Sequence, residues 1–126
     1  MDRASKAVEL KHSGCNCAQA VLLAFEDMSG LDADTLKKLG AGFGVGMGCL
    51  NATCGALCAA QMLQGLIKYR GAPILADAKM LNKGFEQLCG ATECADLKGV
   101  KTGRVLCECD DCVRNAVRSL EKIIEE

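Results

Sequence analysis

Histidine occurs once in this chain, at position 12, and proline once, at position 73. A hydrolytic triad or a histidine metal site would have to rest on His12 alone, whose polar surroundings read as protein surface. With one proline and no alternating run of β-branched and aromatic residues, a sheet has little support and an all-α fold is expected. No apolar run reaches the roughly 18 residues that a membrane span requires, because Gln61, Gln64 and Lys68 interrupt the best candidate. The first ten residues lack an apolar leader core, so cytoplasmic residence is expected. Fifteen basic and sixteen acidic residues spread along the chain leave a net charge of −1, which gives no footprint for nucleic acid or an anionic membrane. A CxxCH sequence is missing, which excludes c-type haem attachment. No lysine follows the glycine run to make a phosphate loop.

What the chain has in excess is cysteine and glycine, ten and fourteen respectively in 126 residues. That length predicts one domain over residues 1–126, able to bury a core without covalent staples. In a reducing cytosol, such a cysteine density points to metal, cluster or redox chemistry more than to structural disulfides.

Hydrophobic spacing predicts a compact bundle of four to six helices. A short amphipathic helix is expected over residues 2–12 and a second from Cys17 to Met28, capped by Asn16 and stopped by Gly30. A third covers 32–39, with acids in its first turn and lysines in its last. Glycines then alternate from Gly40 to Gly48, leaving the backbone free to take positive φ and to approach another group closely. The stretch from Cys54 to Arg70 is apolar on most of its circumference and reads as the longest, central helix, with Thr53 as its cap. Residues 75–89 form another helix, a helical turn is expected at Cys94–Leu97, and a last helix runs from Cys112 to Glu125, capped by Asp110 or Asp111.

Asn16-Cys17, Thr53-Cys54 and Asp111-Cys112 thus repeat one local design, a capping residue followed by cysteine at the first turn of a helix. There, unsatisfied amides and the positive end of the helix dipole favour the thiolate, the form that attacks disulfides and ligates metals. Cys94 is a fourth candidate, in a connection able to fold back on the other three. The plainer alternative is a set of small buried apolar thiols. The remaining cysteines make shorter arrays. Cys109-Asp-Asp-Cys112 has redox-motif spacing in an acidic setting that opposes a lowered thiol pKa. Cys15, Cys17 and the Cys107–Cys112 group match no standard zinc finger or ribbon, and the closely spaced cysteine runs of ferredoxins are absent.

Taken in order, Gly14-Cys15-Asn16-Cys17-Ala18-Gln19-Ala20-Val21, Gly42-Phe43-Gly44-Val45-Gly46-Met47-Gly48, Cys54-Gly55-Ala56-Leu57, Cys94-Ala95-Asp96-Leu97 and Cys112 resemble the C_GCAxxG_C_C family, which is described as redox-active. The resemblance spans about Ala7 to Ile123. It implies that Cys17, Cys54, Cys94 and Cys112 are the family's shared cysteines, and similar domains in split-Soret cytochromes carry an iron–sulfur centre beside haem. The chain departs from the family name at its central motif, where Thr53 stands before the cysteine in place of glycine, Gly55 after it in place of alanine, and Cys58 in place of the later glycine.

The first expectation is an electron-transfer protein in which Cys17, Cys54, Cys94 and Cys112 hold an iron–sulfur cluster, with Gly44, Gly46 and Gly48 offering amides to its sulfurs. The second is a thiol–disulfide or peroxide-reducing enzyme in which a helix-start thiolate such as Cys54 attacks and Cys58 or another cysteine resolves. The third is a structural zinc domain, and a site with no cofactor at all goes with the thiol chemistry. A redox partner protein is implied, and the apolar central helix permits a homodimer.

Overall fold

The computed structural model describes residues 1–125, and among them nine helices and no strands. They are α1 (Arg3–His12), α2 (Cys17–Ala24), α3 (Glu26–Ser29), α4 (Ala33–Gly40), α5 (Gly44–Met47), α6 (Gly55–Lys68), α7 (Leu75–Cys89), α8 (Cys94–Lys98) and α9 (Cys109–Glu125). The all-α expectation holds, but four to six helices is too few. Two of the additional elements are single turns in the loops, α5 and α8. The other arises where the expected Cys17–Met28 helix breaks at Phe25, whose N–H turns back to the carbonyl of Leu22. Arg3 drives that break. Its Nη1 donates to the Ala24 carbonyl at 2.6 Å, and its guanidinium lies 4.5 Å from the centre of the Phe25 ring, so a carbonyl that would continue the helix is satisfied from outside it.

Two helix starts also differ from expectation. Cys54 itself occupies the cap position of α6, so Thr53 lies one residue outside. The last helix begins at Cys109, and Cys112 already donates its N–H to the Glu108 carbonyl at 2.9 Å. Asp110 and Asp111 are therefore first-turn acids, favoured there by the dipole, and not caps. At 17 residues α9 is longer than the 14-residue α6.

The core forms where α2, α6 and α9 meet, with α1, α4 and α7 closing its sides. Six of the eight residues of α2 are buried, which is why that helix shows no single apolar stripe. By contrast α9 buries Val113, Ala116, Val117, Leu120 and Ile123, at spacings of three and four, and turns its charges outward. Phe25, Leu22, Leu57, Leu63, Phe85 and Leu120 fill the centre completely. This packing matters for the site because α2, α6, α8 and α9 all start at one end of the molecule, each bringing a cysteine.

Candidate thiol site

Local sequence fixes each of those helix starts. Asn16 caps α2 by accepting from the Gln19 N–H at 2.8 Å, while Gln19 Oε1 accepts from the Asn16 N–H at 3.0 Å, a reciprocal capping box. The other end of the Asn16 amide donates to the Gly40 carbonyl at 3.0 Å, so the residue that presents Cys17 also anchors the glycine loop. The start of α6 is pinned to that of α8 by a short antiparallel bridge between Thr53 and Glu93. Within it Cys54 N–H donates to Thr92 O at 2.8 Å and Cys94 N–H to Ala52 O at 3.0 Å. Two cysteines far apart in the chain are thereby held side by side by backbone alone.

The glycine loop closes over them in an unusual way. Val45, Gly46, Met47 and Gly48 all take positive φ, and Val45 and Gly46 sit at left-handed helical values. Such a turn costs a non-glycine residue about 1–2 kcal/mol, and a β-branched one is a marked outlier. The strain is held by hydrogen bonds from Gly48 N–H to Gly44 O at 2.8 Å and from Leu50 N–H to Val45 O at 3.0 Å. It brings Gly46 so near Cys94 that a Cβ on residue 46 would lie 2.7 Å from the Cys94 Cβ. Because the backbone of residue 45 is already left-handed, Val45→Gly is expected to stabilise the fold by about 0.5–1 kcal/mol, read as a rise in the thermal midpoint. A drop would show that the exposed valine side chain contributes more than its backbone strain costs.

Beneath this turn lies a small cavity of about 20 Å³, lined by Cys17, Cys54, Cys94, Cys107, Cys109 and Cys112 together with Val45, Gly46, Gly55, Leu97 and Lys98. All four cysteines singled out by position in the chain face this one space. Of the three glycines expected to offer amides, Gly46 lines it, Gly44 packs against the Asn16 side chain, and Gly48 faces open space. Cys58 does not line it. Its half-buried Sγ points back to the Thr53 carbonyl at 3.8 Å, one turn along α6.

A second, tighter grouping shares Cys112. The sulfurs of Cys89, Cys107 and Cys112 lie within 4.8 Å of one another, all three buried. Asn115, one turn beyond Cys112 on α9, donates its side-chain amide to Cys89 Sγ at 3.4 Å and to Cys107 Sγ at 4.0 Å. Sequence reasoning left Cys89, Cys107 and Cys109 without a role. Cys89 closes α7 and Cys107 stands in the loop before α9, a pairing made by tertiary packing that no sequence spacing announces. The cluster of cysteines at 107, 109 and 112 was the available signal.

Charge is unevenly held among these thiols. A hydrogen bond from Cys112 lowers Cys54 to about 7, with the Ala56 and Leu57 amides at the start of α6 also favouring its thiolate, although neither makes a full capping hydrogen bond. Cys89 falls to about 6 for the same first reason, helped by Asn115. Cys112, whose single S–H serves one of these two sulfurs at a time, is raised far above the ordinary thiol range. Burial pushes Cys17 and Cys107 up to about 12. Lys98 is held more firmly charged, because Cys109, Cys94 and Cys17 together outweigh its desolvation. These shifts fix the pH dependence of the reduced, metal-free protein. The unfolded thiols titrate near 9, so whichever of Cys54 and Cys89 is held as thiolate by the Cys112 proton adds stability that is complete above that value and disappears as pH falls through the range from about 7 to about 6. The raised thiols act oppositely, keeping protons that the unfolded chain releases above 9, so their contribution fades as pH climbs toward about 12. Denaturant midpoints are expected to pass through a maximum near pH 9, and a monotonic profile from 6 to 11 would contradict this charge distribution.

All ten cysteines are free thiols. The cavity wall offers thiols and one ammonium group but no imidazole or carboxylate, a soft donor set suited to iron–sulfur clusters, zinc or copper(I) and unsuited to magnesium or calcium. It is also a poor resting place for several thiolates without a cation, since mutual repulsion and burial oppose their charge. Among the described residues no helix is long and apolar enough to cross a membrane. A family profile described as "Putative redox-active protein (C_GCAxxG_C_C)" matches residues 15–123. No curated protein and no solved structure matches the chain significantly.

Proposed function

This chain belongs to the C_GCAxxG_C_C family, and from that membership and its thiol-lined cavity we propose a small redox protein in which Cys17, Cys54, Cys94 and Cys112 hold an iron–sulfur centre for electron transfer. The observation that carries the reading is the convergence of these four residues, from α2, α6, α8 and α9, on one cavity. Bound there, the centre would supply one-electron chemistry at a potential set by burial and by hydrogen bonds to sulfur. The chain's own residues provide the rest. Cys54 and Cys94 are held by the Thr53–Glu93 bridge, the capping box fixes Cys17, and Gly46 lets the loop cover the cavity without a side chain filling it. Lys98 places positive charge at the wall, which favours the more negative, reduced state. The cavity admits only about one small atom in its present form, so holding the centre would require its wall to move outward. Electrons would pass to a partner protein in a reducing compartment.

A zinc site is the second reading, favoured specifically by the Cys89, Cys107 and Cys112 sulfurs, which lie within 4.8 Å of one another, against the roughly 3.8 Å between sulfurs that about 2.3 Å zinc–sulfur bonds impose in a tetrahedral site. Absorbance together with iron, acid-labile sulfide and zinc analysis of protein isolated without oxygen separates the two. Broad absorption near 400 nm with stoichiometric iron and sulfide is the expected result. Colourless protein carrying one zinc per chain would replace it with the structural reading.

A further inference from the structure

Cys89 and Cys107 are the two cysteines of the tight thiol group that the proposed centre does not use, and Cys107 also borders a separate groove open to solvent. Cys107 stands on the wall between two spaces. It faces the inner cavity on one side, and on the other it forms the floor of an open groove of about 410 Å³ lined by Leu88, Val105, Leu106, Glu108, Asp111 and Asn115. That volume is in the range of small-molecule sites. The groove offers apolar surface at Leu88, Val105 and Leu106, each about half exposed, two carboxylates, and no basic side chain. At its floor Cys107 is 8 % exposed, while Cys89 behind it is 4 % exposed. Their sulfurs lie within 4.8 Å, and Asn115 aims its amide at both. Cys89 is the last residue of α7, followed by Gly90 in the left-handed region, and Cys107 lies in a loop. Cys89 ends its helix and Cys107 lies outside one, and a bond between them requires their sulfurs to close from within 4.8 Å to about 2.05 Å.

We propose that Cys107 and Cys89 are an exchange dithiol that reduces a neutral or cationic low-molecular-weight disulfide entering by this groove. The Cys107 sulfur, the one that faces the groove, attacks one sulfur of the substrate R–S–S–R as its proton passes to the Cys89 sulfur within 4.8 Å of it, forming Cys107–S–S–R and expelling the first RS⁻, which takes that proton from Cys89. The Cys89 sulfur then attacks the Cys107 sulfur, forming the Cys89–Cys107 disulfide and expelling the second RS⁻, which takes a proton from water. The two protein sulfurs lose two electrons in total and the substrate disulfide gains them. Asn115, donating to both sulfurs, steadies negative charge on whichever carries it. Glu108 selects against anionic substrates by repulsion, while Asp111 is held by Arg114 at 2.7 Å. The geometry favours this pair over any involving Cys112, which sits in the first turn of α9 with its Sγ turned to the Cys107 carbonyl at 3.7 Å. It rests on no bound centre, although Cys112 lies close enough to link the two.

The test uses full-length protein, reduced and freed of excess thiol without oxygen, then mixed with cystamine. Two equivalents of cysteamine are expected per chain, with a Cys89–Cys107 cross-link in the peptide map. Cys89→Ser is expected to release one equivalent and retain the cysteamine adduct on Cys107. Cys107→Ser is expected to slow release by about tenfold or more, with the helicity of both variants equal to that of the unaltered protein. Dithiodiglycolate, a dianion, is expected to react more slowly than cystamine at low salt. A cross-link between other cysteines, a Cys107→Ser protein as fast as the original, a faster dianion, or a zinc ion blocking the pair overturns the proposal. The outcome is separable from that of the electron-transfer reading. Iron-free protein that forms the cross-link refutes the centre and leaves the dithiol standing, and iron-loaded protein inert to cystamine does the reverse.

Discussion

Serine in place of Cys112 is expected to lower iron retention by more than about tenfold and to destabilise the reduced, metal-free protein by about 1–3 kcal/mol. Cys107 and Cys112 both belong to the two thiol groupings, but only Cys112 is among the four residues of the proposed centre. Cys112 lines the cavity, donates to Cys54 or Cys89, and lies within 4.8 Å of Cys107. Removing its sulfur takes away a ligand of the proposed centre, and Cys112→Ala also removes the proton that two thiolates share. With that donor gone, Cys54 and Cys89 rise from about 7 and about 6 toward the ordinary thiol range, so alkylation of the metal-free alanine variant at neutral pH is expected to slow. Serine at Cys15 or Cys49, neither of which lines the cavity, serves as the comparison, with iron content unchanged. Equal iron in Cys112→Ser and in these controls would remove Cys112 from the ligand set.

Gly55→Ala is expected to be strongly damaging without altering any ligand of the proposed centre. A Cβ at residue 55 would collide with the Phe43 carbonyl oxygen and approach the Ala18 Cβ at 3.5 Å. The obstacle is backbone, so no side-chain rotation relieves it, and the glycine loop must lift away from the start of α6. A cost of about 3 kcal/mol or more follows from overpacking at a buried site, together with loss of the cavity's cover and of bound iron. The position is not a left-handed one, so the penalty comes from closeness alone. Thermal unfolding of the variant measures it, and a midpoint within a few degrees of the original would show that the loop is free to rise. Gly46→Ala, where added strain at φ +57 accompanies a close approach to the Cys94 Cβ, should behave similarly but more mildly, because the turn is exposed at Val45 and Met47.

What the sequence disclosed followed the range of the interactions. Asn16 and Gln19 cap α2 within four residues of each other, and that start was readable, as were both ends of α7 and the turn at Cys94. The break at Phe25 was not, because the apolar spacing continues through it and its cause, Arg3, lies more than twenty residues away. Alternating glycines indicated a loop that takes positive φ. They did not indicate that Val45 and Met47 would take it too, since that requires the surrounding hydrogen bonds to hold a strained turn closed. The same division runs through the site. A cysteine at a helix start is a local feature, and the chain order of Cys17, Cys54, Cys94 and Cys112 carried the family resemblance. Cys89, Cys107 and Asn115 meet only because α7 packs beside α9, and Cys58, whose place in the motif suggested a partner for Cys54, faces Thr53 instead.

Crystals grown from protein kept without oxygen, measured on both sides of the iron and zinc absorption edges, test the central claim most directly. The account predicts iron anomalous scattering within the cavity bounded by Cys17, Cys54, Cys94 and Cys112, more than one iron atom per chain, and none at Cys89 and Cys107. A zinc peak among Cys89, Cys107 and Cys112 with no iron in the cavity would contradict it.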